Sequence, residues 1–393
     1  MPAAAINASI AGLGKAGITR EVTPPARELA RLAVLDALAD AGLTRQALDG
    51  LLICRTSAAT DKDLGLDLQR TLGLRDLALL EIVLCEGASA IAAIQQAALA
   101  VSAGLATTVA CVFADAPLVP GKRTSESFGR IKSPSGIDGL RYSAGLFGGA
   151  AIYALAARRY LDHYGANEEA LSSVAVAARQ WAMLNPDASF RQPLTRDQYF
   201  AARYIAEPLR LFDCAIPVNG GIAVIVTSRE RAADLRQPPA HILSMAQGHP
   251  GTPDARGFER ELSTGGRIAA PALLARAGIS VDEVDQLQLY DAFSISTLLS
   301  LEQYGICGPG EAMHFVADGG IAPGGRIPVN TGGGHLSGYY LQGMTPVAEA
   351  VIQARGAGGH RQCGKARTIL VTNEGGRFDY HAALLLGQAE HWS

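Results

Sequence analysis

The sequence predicts an α/β protein built from two copies of one αβα design, and three observations carry that prediction. Segments 41–54 (AGLTRQALDGLLIC) and 277–290 (AGISVDEVDQLQLY) repeat one order: helix end, Gly stop, Ser/Thr start signal, acidic turn, apolar strand. An amphipathic helix precedes each copy, with Leu29, Leu32, Ala33 and Ala37 at helical spacing in the first and residues 270–277 in the second. A glycine-flanked turn and a small-residue helix follow each copy, at 89–103 and 341–354.

Strands close both halves. Short β-branched runs at 107–114 and 222–227 end the first, and runs at 368–372 and 381–386 end the second. Strand, helix, strand in succession implies mixed sheets covered by helices. Residues 117–213 have no counterpart in the second half and read as an insertion, with helices at 150–164 and 168–185. Such an excursion is expected over one face as a lid or substrate loop. The segment QPPAH at 237–241 is the natural break, giving halves 1–238 and 239–393.

Composition narrows the function. With 48% hydrophobic and 18% charged residues in 393, the chain buries a large core. Its Ala-rich stretch 89–103 is broken by Gln95 and Gln96 and is too short to cross a bilayer, so no membrane span is expected. The first residues, MPAAAINASIAGLGKAG, lack a charged region before a long apolar block, and a cytoplasmic location follows. A net charge of −3 without a dense Lys/Arg cluster argues against nucleic acid and for a small-molecule ligand. Six scattered cysteines form no C-x-x-C pair and read as reduced thiols, and the eight histidines do not join them at zinc-ligand spacing, so no metal is expected. The glycines of 319–325 do not follow a strand into a helix, which removes a dinucleotide fingerprint.

The stretch 330–356, NTGGGHLSGYYLQGMTPVAEAVIQARG, resembles the thiolase loop N-x-x-G-G-x(4)-G-H-P-x-G and its following helix. Together with YIAEPLRLFDC (204–214) and LYDAFSISTLLSLEQYGICGPGEAMHFVADGG (289–320), it marks the chain as similar to the thiolase superfamily in its sterol-carrier-type branch. That resemblance covers nearly the whole chain. It implies the five-layer αβαβα thiolase fold and an active site made by four loops.

Three of the four loops lack the thiolase groups, and the remaining one is altered. A nucleophilic cysteine opens the buried helix in thiolases, where the helix N-terminus stabilises the thiolate. Here the register set by Ser89, Ala93 and the Gln95-Gln96 pair puts Gly87 at that position, with Cys85 two residues early. The second loop reads Tyr290-Asp291-Ala292-Phe293, the third replaces the histidine with Tyr340, and the fourth places Asn373 at the second cysteine. Acyl-cysteine chemistry therefore lacks its nucleophile.

Paired tyrosines at these loops resemble the retro-aldolases of steroid side-chain breakdown. The resemblance implies cleavage of a β-hydroxyacyl-CoA into a ketone or aldehyde and a shorter acyl-CoA, with a coenzyme A thioester as substrate and no tightly bound cofactor. Tyr290 and Tyr340 are the expected acid and base, in an order left open. A phenol with an ordinary pKa of about 10 needs help to accept a proton at neutral pH. Asn330, Asp291, His335 and Asn373 are supporting residues, and backbone N–H groups of Gly333, Gly334, Gly375 and Gly376 are candidates for the oxyanion hole. Tyr339 takes the place of Tyr340 if the loop slips by one. His335 either touches the thioester or is a solvated loop residue, and His381 reads as a core group. The resemblance also implies a homodimer and a small OB-fold partner with a zinc ribbon in a heterotetramer. Two other readings stand: acyl transfer through Cys85, and a non-catalytic acyl-CoA or lipid carrier.

Overall fold

A computed structural model describes residues 6–55, 64–121, 139–140, 143–146, 148–250, 262–376 and 378–388. Part of the expected insertion, 122–138, lies outside the described residues, as do 141–142 and 147.

Among the described residues there are eleven strands: β1 (Ser9–Thr19), β2 (Gly50–Cys54), β3 (Leu79–Val83), β4 (Thr108–Asp115), β5 (Tyr204–Ala206), β6 (Leu209–Arg210), β7 (Asn219–Thr227), β8 (Ala240–Gly248), β9 (Gln286–Gln288), β10 (Thr368–Gly375) and β11 (Tyr380–Gly387). Apart from the β5–β6 hairpin they follow one order, β3-β2-β4-β7-β1-β8-β11-β10-β9. The run β2-β4-β7-β1 recurs in mirror order as β8-β11-β10-β9, with β1 matching β8 and β2 matching β9. Among the described residues the two sets pair at Ser9↔His241 and Ile10↔Ala240.

The described helices are α1 (Ala26–Ala41), α2 (Leu64–Leu72), α3 (Ser89–Ser102), α4 (Gly148–Tyr164), α5 (Glu169–Met183), α6 (Arg196–Ala201), α7 (Arg229–Ala233), α8 (Gly266–Ala277), α9 (Ser294–Gln303), α10 (Ala312–Ala317) and α11 (Met344–Ala354). One core joins α3 and α11 to the inner faces of both sheets, through Ile91, Ile94, Val347 and Val351. A second core lies between α1, α2 and the first sheet, and a third lies between the second sheet and α8, α9, α4 and α5. These are the five layers of a thiolase fold. The insertion helices α4 and α5 lie over the second half, with Tyr160 and Leu171 fully enclosed there.

Two local features differ from expectation. The helix expected from 341 starts at Met344, because Leu341 bridges to Gly343 and Gln342 adopts a left-handed φ of 46°. Leu32 faces outward at 38% exposure, while Leu29, Ala33 and Ala37 are buried.

β1 carries little strand propensity, and its sequence SIAGLGKAGIT hides it. The glycines are there for close approach. A Cβ on Gly12 would stand 2.3 Å from the Ala37 carbonyl oxygen, and one on Gly14 would stand 2.2 Å from that of Ala33.

Candidate active site

The chain's loops converge where α3 and α11 begin. Residues 214–217, which follow the insertion, stitch two of them together. Ala215 N–H donates to the Ala292 carbonyl at 2.8 Å, Ile216 N–H to that of His335 at 2.9 Å, and Tyr340 N–H to that of Ile216 at 3.0 Å. Tyr290, just beyond β9, donates its N–H to Thr372 Oγ1 at 3.3 Å on neighbouring β10. The two phenols meet as a result, with Oη atoms 2.9 Å apart and rings 6.3 Å apart at 75°. Tyr290 is 4% exposed, whereas Tyr340 keeps more of its surface open and so stands in front of it. Tyr339 packs instead into the core between the sheets.

Gly87 explains why no thiol stands here. A Cβ at this position would lie 2.1 Å from the Glu374 carbonyl oxygen and 2.4 Å from Tyr290 Oη. The phenol of Tyr290 thus occupies the space that a side chain at the nucleophile position requires. Gly375 closes the same junction, because its own Cβ would sit 2.4 Å from the Gly87 nitrogen.

The supporting residues brace this arrangement. His335 is fully buried, which corrects the solvated-loop alternative. It packs edge-on beneath both phenols, 4.7 Å from the Tyr290 ring and 5.0 Å from that of Tyr340. Its Nε2 donates to the Gln342 carbonyl at 2.8 Å, its backbone N–H donates to Asp291 Oδ1 at 2.8 Å, and its Nδ1 lies 3.2 Å from the same oxygen. Asn330, with a left-handed φ of 52°, accepts the Leu289 N–H on its side chain at 2.6 Å. Gly333 donates its N–H to the Asn330 carbonyl at 2.8 Å. That commitment to the turn removes Gly333 from the expected oxyanion donors. Gly334 is needed for room, since a Cβ there would lie 2.1 Å from Asp291 Oδ2. Gly376 turns the chain out of β10 at φ 58°. Asn373 is fully buried; it accepts the Ile91 N–H at 3.1 Å and donates to the Gly343 carbonyl at 3.2 Å. It ties the first turn of α3 to the entry of α11.

The electrostatics are those of acids crowded together. Burial, then Tyr340, Tyr153 and Glu374, holds the Tyr290 phenol well above its ordinary range. Burial also pushes Tyr340 up, to about 12; its hydrogen bond with Tyr290 draws it down, and Asp115 and Glu86 push it further up.

Two members of this cluster escaped the sequence reading. Tyr153, on α4, packs against Phe293 at 4.4 Å and Phe378 at 4.6 Å between ring centroids. Glu374 is 1% exposed, and neither of its carboxyl oxygens has a hydrogen-bond partner of proper geometry. Burial pushes its carboxyl up to about 8, against weaker pulls from the nearby hydroxyls of Ser296 and Tyr153. The sequence signal for Glu374 is an acidic residue closing the apolar strand TILVTNEG.

Cys85 lines a groove of about 380 Å³ with Gln95, Gln96, Met245 and Arg276, and neither phenol lines that groove. Burial first, and then Glu86, raises its thiol pKa, opposite to the shift that activates a nucleophile. Among the described residues no group of three His, Cys, Asp or Glu side chains is placed to hold a metal ion, and no helix is long and apolar enough to cross a membrane.

A family model described as thiolase C-terminal domain-like matches residues 258–388. The chain is 36% identical over 386 residues to a 17-hydroxy-3-oxo-4-pregnene-20-carboxyl-CoA lyase of Mycobacterium tuberculosis, covering 94% of this chain and 96% of that relative. It is also 36% identical over 385 residues to a steroid side-chain-cleaving aldolase of Thermomonospora curvata, covering 93% of this chain and 94% of the relative. A solved structure titled Ltp2-ChsH2(DUF35) aldolase superposes with a TM-score of 0.87 at 34% identity, over 98% of this chain and 99% of that one. The Acat5 thiolase from Ascaris suum, solved with coenzyme A, shares the fold with a TM-score of 0.70 at 14% identity, over 97% and 100% of the two chains.

Proposed function

We infer the function from a family premise: the chain belongs to the thiolase superfamily, in the sterol-carrier-type branch that contains the steroid side-chain-cleaving aldolases. It is a carbon–carbon lyase that cleaves a steroid β-hydroxyacyl-CoA by retro-aldol reaction. The substrate of its Mycobacterium relative, 17-hydroxy-3-oxo-4-pregnene-20-carboxyl-CoA, serves as the type compound. In that molecule the hydroxyl-bearing ring carbon is β to the thioester. Cleavage leaves a ring ketone and, from the α-carbon with its methyl and the carboxyl, propionyl-CoA.

One observation carries the chemical assignment: two phenolic oxygens 2.9 Å apart stand where Gly87 leaves no room for sulfur. The front phenol, Tyr340, takes the β-hydroxyl proton as Cα–Cβ breaks, and Tyr290 behind it accepts and returns protons through their shared hydrogen bond. No covalent intermediate is needed. The apolar wall of Tyr153, Phe293 and Phe378 beside the pair suits a ring-bearing acyl group. Thioester binding and chemistry then separate, since neither phenol has to hold the coenzyme A moiety.

Two assembly proposals accompany this reading. Among the described residues β3 ends the sheet with no strand on its outer edge, and Ile82, Leu84 and Leu99 are 45%, 52% and 58% exposed, which favours pairing with a second copy. The superposed aldolase, in which Ltp2 is joined with ChsH2(DUF35), supports a small DUF35-type partner for this chain.

The test is incubation of the purified chain, alone and with its coexpressed small partner, with the type compound. A 17-ketone and propionyl-CoA in equal amounts is the expected product pair. Binding of the thioester without either product overturns the lyase assignment and favours the carrier reading.

A further inference from the structure

Cleavage starts from a tyrosine pair that is one proton short. Tyr340 can take the β-hydroxyl proton only as a phenolate or by handing its own proton to Tyr290, and either way the two oxygens 2.9 Å apart share one negative charge. Burial raises both phenols. Tyr340, Tyr153 and Glu374 add to it at Tyr290, while at Tyr340 the bond with Tyr290 pulls against it and Asp115 and Glu86 add to it. An anion in such surroundings gains most from positive charge packed against it.

His335 is placed to supply that charge. The turn Gly334–Gly338 holds its imidazole fully buried, with its ring centroid 4.7 Å from that of Tyr290 and 5.0 Å from that of Tyr340, so it packs almost equally against both members of the pair. Each ring nitrogen faces an acceptor. Nε2 lies 2.8 Å from the Gln342 carbonyl oxygen, which can only accept, and so carries a hydrogen. Nδ1 lies 3.2 Å from Asp291 Oδ1. In a neutral ring with its hydrogen on Nε2, the Nδ1 lone pair would stand against the lone pairs of that carboxylate. A hydrogen on Nδ1 turns the same contact into an ion pair, with Asp291 1% exposed. The approach lies off the hydrogen-bond axis, so charge and not a directed bond holds it. The backbone N–H of His335 donates to the same Oδ1 at 2.8 Å and fixes the carboxylate beside the ring. From α5, Arg179 Nε donates to Ser337 Oγ at 2.9 Å and steadies the turn that carries His335.

Resting on the retro-aldol reading above, we propose that His335 is a doubly protonated imidazolium, paired with Asp291, that stabilises the negative charge shared by Tyr290 and Tyr340. Because it packs against both rings, it favours the anion whichever oxygen holds the remaining proton. The step balances. The anionic pair takes the β-hydroxyl proton as the O–H and Cα–Cβ bonds break and the ketone C=O and the enolate form. The neutral pair then gives one proton to Cα, which restores the anion. His335 keeps both of its hydrogens throughout, and it acts as a positioning residue through the phenols.

A neutron crystal structure of the deuterated wild type reads the hydrogens directly. Deuterium on both Nδ1 and Nε2 of His335 is expected; deuterium on a single ring nitrogen overturns the proposal. The second measurement follows kcat and KM for the type compound against pH, in the wild type and in His335→Gln, whose side-chain amide can still donate to the Gln342 carbonyl. We expect kcat at neutral pH to fall about 10- to 100-fold with KM held, and the rise of kcat with pH, which reports formation of the anion, to move up by about one to two pH units. A histidine that only braces the turn lowers kcat without moving that rise, so an unmoved rise overturns the proposal as well. Should His335→Gln fail to fold, the neutron map of the wild type decides alone. A wild type that releases no ketone is a different failure, that of the lyase reading, and the map still decides the charge of His335.

Discussion

Adding a single methyl at Gly87 is the sharpest perturbation available, because the structure sets its cost. In Gly87→Ala the new carbon would begin 2.1 Å from the Glu374 carbonyl oxygen and 2.4 Å from Tyr290 Oη. Both contacts fall short of ordinary packing distance by roughly 1–2 Å. The Glu374 carbonyl belongs to a β10 residue laddered to His381 and resists movement, so the Tyr290 side chain yields. Overpacking of this kind costs about 1–3 kcal/mol of stability. A displacement near 1 Å at a reacting group costs on the order of 100-fold in rate. Product release from the type compound gives the rate, and chemical denaturation gives the stability. Turnover within about threefold of wild type at unchanged stability would refute the claim that Tyr290 fills the nucleophile's place. Gly87→Cys carries the same clash, so it gains no thiolase activity and no acyl adduct by intact-mass measurement.

Tyr340→Phe and Tyr290→Phe should each lower kcat by about 100- to 10,000-fold while leaving KM for the thioester nearly unchanged, and full activity in both would end the phenol assignment. Asn373→Ala leaves the Ile91 N–H and the Gly343 carbonyl without their partner and should cost about 2–3 kcal/mol in denaturant unfolding, with a cost below about 0.5 kcal/mol counting against its tie between α3 and α11. Glu374 has a folded pKa raised from 4.5 to about 8, so the folded state binds the extra proton and stability falls as pH rises across that window, by up to ~5 kcal/mol. Glu374→Gln should flatten that slope, and an unchanged slope would show that the carboxyl does not titrate there. Leu99→Arg, at an exposed position beside the free β3 edge, should shift sedimentation from dimer to monomer; an unaltered dimer would place the interface elsewhere.

Periodicity and punctuation determined the duplicated α/β plan and the insertion in the first half, while the loops where chemistry would have to sit came from the resemblance to thiolases. Gly87, Tyr290 and Tyr340 were legible because each stands in a loop that resembles a thiolase motif, with Gly87 placed by the register of Ser89, Ala93 and the Gln95-Gln96 pair and Tyr340 by its spacing to Gly343. The strand β1 was not legible, since its glycines lower strand propensity for the sake of contact with α1. Nor was the depth of His335, whose ring is enclosed by Tyr290, Tyr340 and Asp291 from other parts of the fold. Glu374 and Tyr153 lie 221 positions apart by subtraction of their numbers and come from a strand end and an insertion helix. Only tertiary folding put them beside the phenols, because desolvation and charge coupling depend on distance in space, which no local pattern of residues records.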